Sequence, residues 1–215
     1  MKVELLDHTG NDNTVANVAR VSFAGEQWNE LPEGYTEEQR DKLIRFLARE
    51  QHTSPFRHVS VSLRVTAPIF LARQLAKHQV GMSWNEVSRR YVDDTPEFYF
   101  PEHWRKRPEK GIKQGSDGIH EDSDQWSVDY ASFVMDALTL YESMIDDGVA
   151  PEMARMVLPQ SMMTQWVWSG SIMAFAHVYK LRADSHAQKE AQDIAKMIDE
   201  IIRPLYPTSW SALVD

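Results

Sequence analysis

The residues best suited to chemistry lie between positions 77 and 91, in the segment KHQVGMSWNEVSRRY. The segment holds a Lys, a His, two Arg, a Glu, an Asn and two Ser, and few of these side chains suit a core. It directly follows APIFLARQLA, whose composition is typical of a buried segment. A chain that leaves its core into so dense a polar run forms either a solvated surface or the lining of a site for a polar ligand.

Helical spacing groups the first polar residues of this run. A helix from Pro68 to about Lys77 is predicted, because proline suits the first turn of a helix. In such a helix Gln74 lies four residues before His78, and Arg73 lies four residues before Lys77. Each pair then shares one helix face.

A second short helix is predicted to begin near Asn85, with Glu86 and Arg90 four residues apart and Ser88 between them. One interpretation is a solvated ion pair, which contributes about 0.3–0.5 kcal/mol. The other is a phosphate or nucleotide site, because a guanidinium binds phosphate through two parallel hydrogen bonds and a hydroxyl adds a further donor. Spacing alone leaves both interpretations open.

A second polar segment is LRADSHAQKEAQ, at residues 181–192. Asp184 or Ser185 is predicted to cap the next helix, and Gln188, three residues after Ser185, completes a capping box. The cap leaves Arg182 and His186 unexplained.

Other polar residues have open interpretations. His186 and Glu190 are four residues apart, but no third ligand is placed, so no metal site is predicted. Arg155, among apolar neighbours, either extends along the surface or points into a cleft. The turn HTSPFRH places His52, Ser54 and His58 just before a predicted strand, and the two histidines are weak as a metal pair but plausible as donors to a ligand.

These residues are carried by a predicted α+β fold, a single domain with a mainly antiparallel sheet flanked by amphipathic helices. No GxGxxG motif occurs, so no Rossmann unit is expected. Residues 101–125, which are polar and rich in Gly and Pro, are predicted to form a surface loop or insertion. Alternation predicts strands at 2–6, 58–66 and 161–168, and periodicity predicts helices at 36–50, 126–147, 171–181 and 185–203, the last ending before Pro204.

Composition excludes several classes of protein. The 215 residues are 42% hydrophobic, enough for a substantial core, and no apolar run approaches the roughly 20 residues of a membrane span. The net charge of −9 argues against broad binding to a nucleic-acid backbone. There is no cysteine, which excludes disulfides, thiolate metal sites and cysteine nucleophiles. The start, MKVELLDHTG, is unlike a secretory signal, so we expect a cytoplasmic protein.

Several segments occur together, and in the same order, in one known family. The chain resembles the flavin-dependent thymidylate synthases in ARVSF, HTSPFRH, APIFLARQ, NEVSRRY, EFYFP, ARMVLP and LRADSHAQ. The matching segments cover most of the chain outside residues 101–125, and NEVSRRY and LRADSHAQ are the most specific. The resemblance implies one family domain over residues 1–215 and a homotetramer whose active sites are shared between subunits.

The resemblance also implies an activity, the conversion of dUMP to dTMP with methylenetetrahydrofolate as carbon donor, FAD as redox carrier and NADPH as reductant. The residues implied in dUMP binding are Gln74, Glu86, Ser88, Arg89, Arg90, Arg155 and Arg182. Those implied at FAD are His52, Ser54, Lys77, His78, Gln79, Glu86, His177 and His186, with Ser22 as a further contact. Arg182 is the implied catalytic residue, placed at the uracil ring to favour ionisation at N3. Because the chain has no cysteine to attack C6, polarisation of the pyrimidine must replace that route.

One triplet departs from the family pattern. The usual signature is Arg-His-Arg, seven residues and then Ser, whereas this chain has Lys77-His78-Gln79 and eight residues before Ser88. Two guanidinium groups are therefore replaced at positions that the resemblance assigns to the flavin. Lys77 is expected to meet a flavin phosphate as a point charge, while Gln79 contributes only neutral hydrogen bonds.

Two other functions are compatible with parts of the sequence. A non-catalytic nucleotide- or flavin-binding protein on the same scaffold is supported by the altered triplet. A metal-dependent nucleotide hydrolase ranks last, because no complete set of carboxylate and histidine ligands is present.

Overall fold

An antiparallel sheet of four strands lies at the centre of the fold. The structure is a computed structural model that describes residues 1–23, 27–108 and 115–215. The strands of the sheet are β1 (Lys2–Thr9), β2 (Ser60–Pro68), β3 (Met82–Glu86) and β6 (Met163–Ser171). A separate hairpin consists of β4 (Arg105–Lys106) and β5 (Asp117–Ile119). The order in the larger sheet is β1-β2-β6-β3, and all neighbours run antiparallel.

The alternation in β2 determines which face of the sheet is buried, as the sequence predicts. Leu63 and Val65 are buried and lie opposite Trp168 and Trp166 of β6. Arg64, between them, points to the other face and is exposed. Large apolar side chains from two strands thus meet on one face and form the centre of the core.

Helices cover this apolar face. On the last long helix, Ile194, Ile198 and Ile202 recur every four residues and are fully buried against the sheet side of the core. The helices are α1 (Asp12–Ala19), α2 (Glu37–Arg49), α3 (Ile69–Leu75), α4 (Ser123–Asp146), α5 (Pro151–Ala154), α6 (Ile172–Arg182), α7 (Lys189–Leu205) and α8 (Pro207–Val214). One core joins the elements from both halves of the chain. The predicted α+β class with an antiparallel sheet is confirmed.

The C-terminal helices differ from the prediction. Pro204 does not stop α7, which runs one residue further to Leu205, and α8 follows without having been predicted. A proline in the last turn removes only one hydrogen bond of the helix, so it is tolerated there. Tyr206 separates the two helices, is fully buried, and donates from its hydroxyl to the carbonyl oxygen of Thr9 at 2.8 Å. This contact attaches the C-terminal pair to the end of β1.

The segment predicted as a loop at 101–125 contains regular structure. The β4–β5 hairpin lies inside it, and α4 begins at Ser123. Residues 109–114 of the predicted loop lie outside the described residues. The pairing of Arg105 with Ile119 shows why the loop prediction was incomplete, because strands of two and three residues are too short to produce an alternation signal.

Across the residues that the structure describes, no helix has both the length and the apolar composition that crossing a membrane requires.

Candidate active site

The polar run that follows α3 forms a strand rather than the predicted second helix. Residues Met82–Glu86 make up β3, so the helix expected from Asn85 is wrong. Trp84 stacks on Trp166 of β6 with ring centroids 4.3 Å apart and an interplanar angle of 19°. Trp84 and Met82 pack against the core at every second position, which is strand periodicity.

This change of structure separates Glu86 from Arg90, and the ordinary ion pair considered for them does not form. Glu86 Oε1 accepts a hydrogen bond from Thr164 Oγ1 at 2.9 Å, and Oε2 accepts one from Trp84 Nε1 at 3.2 Å. Arg90 lies on the turn beyond the strand and donates from Nε to Ser88 Oγ at 3.0 Å. The guanidinium of Arg90 is therefore not neutralised by Glu86.

Three of the residues implied in dUMP binding line one cavity of about 530 Å³, which we call the Glu86 cavity. They are Glu86, Arg89 and Arg155, one from the end of β3, one from the turn after it and one from the short helical segment after α5. Arg89 Nη1 contacts both the carbonyl oxygen of Asp94, at 2.5 Å, and its carboxylate, at 3.0 Å. Arg155 donates from Nε to the carbonyl oxygen of Glu152 at 3.3 Å. The cavity lining presents three carboxylates, those of Glu86, Asp94 and Glu97, beside the two guanidinium groups.

A second cavity, of about 740 Å³, is lined by four permanently cationic side chains, and we call it the basic cavity. The one acidic residue of its lining is Asp184, among the residues that the structure describes. The predicted site residues that line it are Gln74, Lys77, Arg182 and His186, and the lining also includes Arg73 and Lys180.

A hydrogen bond at the edge of the basic cavity joins Arg182 to His78. Arg182 Nε donates to His78 Nε2 at 2.9 Å. Burial, with smaller contributions from Arg182 and His177, lowers the pKa of His78. Burial also lowers the pKa of Arg182. Because the ordinary pKa of arginine is so high, the guanidinium stays charged. The pair therefore combines a charged donor with a neutral acceptor.

The structure does not bring all predicted site residues together in one chain. Of the residues that the structure describes, none lines both the Glu86 cavity and the basic cavity. The ring of His52 packs edge-on against Phe46, with ring centroids 6.0 Å apart, and Ser54 precedes a single helical turn at Pro55–Arg57. The predicted residues that line neither cavity are Ser22, His52, Ser54, His78, Gln79, Ser88, Arg90 and His177.

The capping box predicted at the start of α7 does not form. Asp184 accepts a hydrogen bond from the backbone N–H of His186 at 2.8 Å and contacts its ring Nδ1 at 3.0 Å. These bonds hold the segment in a turn, so α7 begins only at Lys189, and Gln188 makes no side-chain cap. The two hydrogen bonds from His186 lower the pKa of the Asp184 carboxyl.

Glu190 is engaged by an arginine rather than paired with His186. Both of its carboxylate oxygens accept hydrogen bonds from Arg105 Nη2, at 2.7 and 2.9 Å. Within the described residues, no group of three or more His, Asp or Glu side chains is placed to hold a metal ion.

Gly115, in the connection between β4 and β5, forms part of the wall of the basic cavity, a role that the sequence did not indicate. Gly115, just before β5, has a φ of +84°, and a Cβ atom there would lie 3.1 Å from the carbonyl oxygen of His186. Glycine permits this close approach of two backbones. Sequence reasoning also missed Lys180 as a lining residue, although its position two residues before Arg182 was a usable signal.

Comparison with known proteins identifies the class. Residues 4–208 match the model of the thymidylate synthase complementing protein family, and the chain belongs to that family. The resemblance noted in the sequence is thereby confirmed. Relatives in this family carry the name flavin-dependent thymidylate synthase, and the chain is an enzyme of that methyltransferase class.

Individual relatives match over nearly the whole chain. The flavin-dependent thymidylate synthase of Thermus thermophilus is 37% identical over 210 residues, which cover 98% of this chain and 74% of the relative. That of Thermosipho africanus is 35% identical over 214 residues, covering 99% and 90%. The crystal structure of the UMP/dUMP methylase PolB from Streptomyces cacaoi, bound with 5-Br dUMP, has a TM-score of 0.87 and 33% identity, covering 98% of this chain and 93% of PolB.

Proposed function

We propose that this enzyme converts dUMP to dTMP by reductive methylation, with methylenetetrahydrofolate as carbon donor, FAD as redox cofactor, NADPH as reductant and no cysteine nucleophile. The observation that carries the proposal is the Arg182–His78 hydrogen bond at the edge of the basic cavity. It fixes one guanidinium in a chain that has no cysteine to activate a pyrimidine. The names of the relatives support both the substrate and the flavin.

Arg182 performs the activation in this proposal. Methylation at C5 of uracil requires electron density at that carbon, and loss of the N3 proton provides it. A fixed guanidinium at the N3/O4 edge stabilises the resulting negative charge through preorganised hydrogen bonds. His78 holds Nε of Arg182, which leaves the two terminal nitrogens for the pyrimidine.

The remaining nucleotide contacts are assigned to Gln74, Glu86, Ser88, Arg89, Arg90 and Arg155. Arg90 and Ser88 hold the phosphate, since the guanidinium already lies beside the hydroxyl at 3.0 Å. The Glu86 carboxylate, oriented by Thr164 and Trp84, accepts hydrogen bonds from the substrate.

The basic cavity fits an anionic cofactor such as FAD. The four cationic side chains of its lining supply the charge that an anionic group such as a diphosphate requires. Bound FAD supplies the redox chemistry, while the protein binds and orients it. The contacts assigned to FAD are His52, Ser54, Lys77, His78, Gln79, Glu86, His177 and His186.

We also infer a homotetramer with shared active sites. Its support is the separation of the Glu86 cavity from the basic cavity, which leaves Arg155 and Arg182 in different cavities of one chain. The helix α4 also exposes large apolar side chains, among them Phe133 and Leu140. Mixing Arg155→Ala and Arg182→Ala proteins, each inactive alone, should restore part of the activity only if subunits share sites.

The decisive experiment for the function measures NADPH oxidation and dTMP formation in the purified protein. NADPH oxidation should require dUMP and FAD together, and dTMP should appear when methylenetetrahydrofolate is added. UMP belongs in the same assay, because the PolB relative is named a UMP/dUMP methylase. Flavin binding without product from either nucleotide would favour the non-catalytic binding protein instead. A cytoplasmic location and the absence of nucleic-acid partners stay predictions of the sequence.

A further inference from the structure

The basic cavity concentrates positive charge from two helix ends. Arg73 and Lys77 come from the end of α3 and the turn after it, and Lys180 and Arg182 come from the last turn of α6. The chain as a whole carries a net charge of −9, so this concentration runs against its overall composition. Of these four residues, only Lys77 and Arg182 have been individually assigned to a ligand above.

Among the residues that the structure describes, no carboxylate neutralises these four side chains. Among the described residues, none of the four lies within 4.0 Å of an Asp or Glu oxygen. The one acid in the cavity lining, Asp184, is hydrogen-bonded to His186. By contrast, Arg105 and Arg203 elsewhere in the chain bind carboxylates directly. Like charges around one cavity repel each other, and an anion bound among them relieves that repulsion.

We propose that Arg73 and Lys180 bind, together with Lys77, the diphosphate group of FAD. This inference rests on the proposed function and extends it to two residues. The usual Arg-His-Arg triplet of the family is Lys77-His78-Gln79 here, which leaves a single permanent cation in the triplet. Arg73 and Lys180 line the same cavity as Lys77 and supply the positive charge that the triplet lacks.

A structural role for the two cations is the competing explanation. Basic side chains near a helix C-terminus interact favourably with the helix dipole, by about 0.3–1 kcal/mol at exposed positions. Arg73 and Lys180 both lie in the last turns of their helices and are both exposed. A dipole role predicts a loss of stability that is independent of the ligand, whereas a phosphate role predicts a loss of affinity that depends on the number of phosphates.

The test uses the full chain, freed of bound flavin, and a series of three probes. Riboflavin has no phosphate, FMN has one and FAD has a diphosphate. In titrations followed by flavin fluorescence, Lys180→Gln and Arg73→Gln should each raise the Kd for FAD roughly tenfold. The Kd for FMN should rise less, and that for riboflavin should stay within about twofold. Lys180→Arg, which keeps the charge, should bind FAD nearly as the wild type does.

The matched control is Lys42→Gln, an exposed lysine on α2 that lies outside both cavities. It should leave all three affinities unchanged. Adding salt should weaken FAD binding less steeply in the Lys180→Gln and Arg73→Gln proteins than in the wild type, because fewer charges are screened. The titrations contain no NADPH, so the diphosphate of that dinucleotide cannot account for the result.

Several outcomes would overturn the inference. Equal losses for riboflavin and FAD would mean that the two cations do not contact phosphate. Unchanged FAD affinity with a raised KM for dUMP would assign the cavity to the nucleotide phosphate. A lowered melting temperature with unchanged affinities would establish the helix-end role. If the wild type binds no flavin, the proposed function fails together with this inference. If the wild type binds FAD and the two variants bind it equally well, only this inference fails.

Discussion

Arg182 Nε donates a hydrogen bond to His78 Nε2 over 2.9 Å, across 104 residues of sequence. Because Nε2 accepts this bond, the imidazole is neutral and carries its proton on Nδ1. This hydrogen bond restricts rotation of the Arg182 guanidinium. The histidine of the altered triplet thus has a contact in the protein itself, besides the flavin contact assigned to it.

The His78 contact gives a prediction for acid pH. The pKa of His78 lies below its ordinary value of 6.5, chiefly because of burial and to a smaller extent because of Arg182 and His177. The unfolded chain therefore binds a proton at a higher pH than the folded protein does, and stability must fall as the pH drops below 6.5. In urea titrations at a series of pH values, the wild type should lose stability in this range, and His78→Gln should lose less. Parallel curves for the two proteins would contradict the prediction.

Activity should respond to the same contact. His78→Ala removes the acceptor for Arg182 and should lower kcat by roughly tenfold, or about 1.4 kcal/mol of barrier. His78→Gln supplies a carbonyl acceptor and should retain more activity. FAD affinity, measured separately for each variant, controls for loss of the flavin contact. Equal kcat values for the two variants at saturating FAD would argue against a positioning role.

Arg182 is expected to act on the pyrimidine rather than on folding. Arg182→Lys keeps the charge but loses the planar fork and the Nε–H bonded to His78. Turnover should fall by at least about tenfold, while melting temperature and FAD binding stay close to those of the wild type. A lowered melting temperature with turnover per folded molecule nearly kept would show a structural role and leave Arg155 as the next candidate.

Arg90 is expected to read the phosphate of the substrate. Its guanidinium contacts Ser88 and the face of Tyr91, at 4.9 Å from the ring centroid, and forms no ion pair among the residues described. A charge-assisted hydrogen bond contributes about 1.5–3 kcal/mol, so Arg90→Ala should weaken dUMP binding roughly tenfold or more. Uridine, which lacks the phosphate, should lose far less in the same calorimetric titration. Equal losses for both ligands would remove Arg90 from the phosphate site.

The buried ion pair between Arg105 and Glu190 gives a prediction for stability. Glu190 is 2% exposed, and Arg105→Met would leave its carboxylate without a cation, at a cost of about 3–5 kcal/mol in unfolding free energy. The double variant Arg105→Met with Glu190→Gln should recover part of that loss. A loss below about 1 kcal/mol in urea denaturation would mean that water reaches the carboxylate.

The same pair predicts a pH dependence at a lower range. Burial raises the pKa of Glu190, but the hydrogen bonds from Arg105, from the Glu190 backbone and from Gln188, together with the charge of Arg105, outweigh it, and the net pKa lies below the ordinary value of 4.5. The stabilisation is therefore present above pH 4.5 and is lost as the pH falls further, through the lowered pKa. The Glu190→Gln protein should lack this component of acid unfolding.

Local patterns predicted those elements that local forces determine. The capping box of α2 forms as expected, since Thr36 Oγ1 accepts from the Gln39 N–H at 3.3 Å and Gln39 Oε1 accepts from the Thr36 N–H at 2.9 Å. The alternation in β2 predicted a half-buried strand correctly. In both cases the signal comes from residues that are neighbours in the chain.

The errors arose where distant residues decide the structure. The sequence of Met82–Glu86 does not by itself strongly predict a strand. The conformation of this segment depends on its pairing with β6, including the stacking of Trp84 on Trp166, which comes much later in the chain. The division of the predicted site residues between two cavities likewise depends on distant segments, since the basic cavity is lined by residues from α3, from α6 and from the segment before β5. Sequence motifs named the candidate site residues but did not indicate which of them share a cavity.

The position of β6 between β2 and β3 has a consequence for synthesis of the chain. A ribosome makes β2 and β3 well before β6, whose residues Met163–Ser171 supply the hydrogen-bonding partners of both. Until then β2 can pair only with β1, and β3 has no partner in this sheet. The nascent chain therefore carries unpaired strand edges with large apolar residues, which are surfaces that chaperones bind and that promote aggregation. A pause in translation before residue 163 would prolong that vulnerable state.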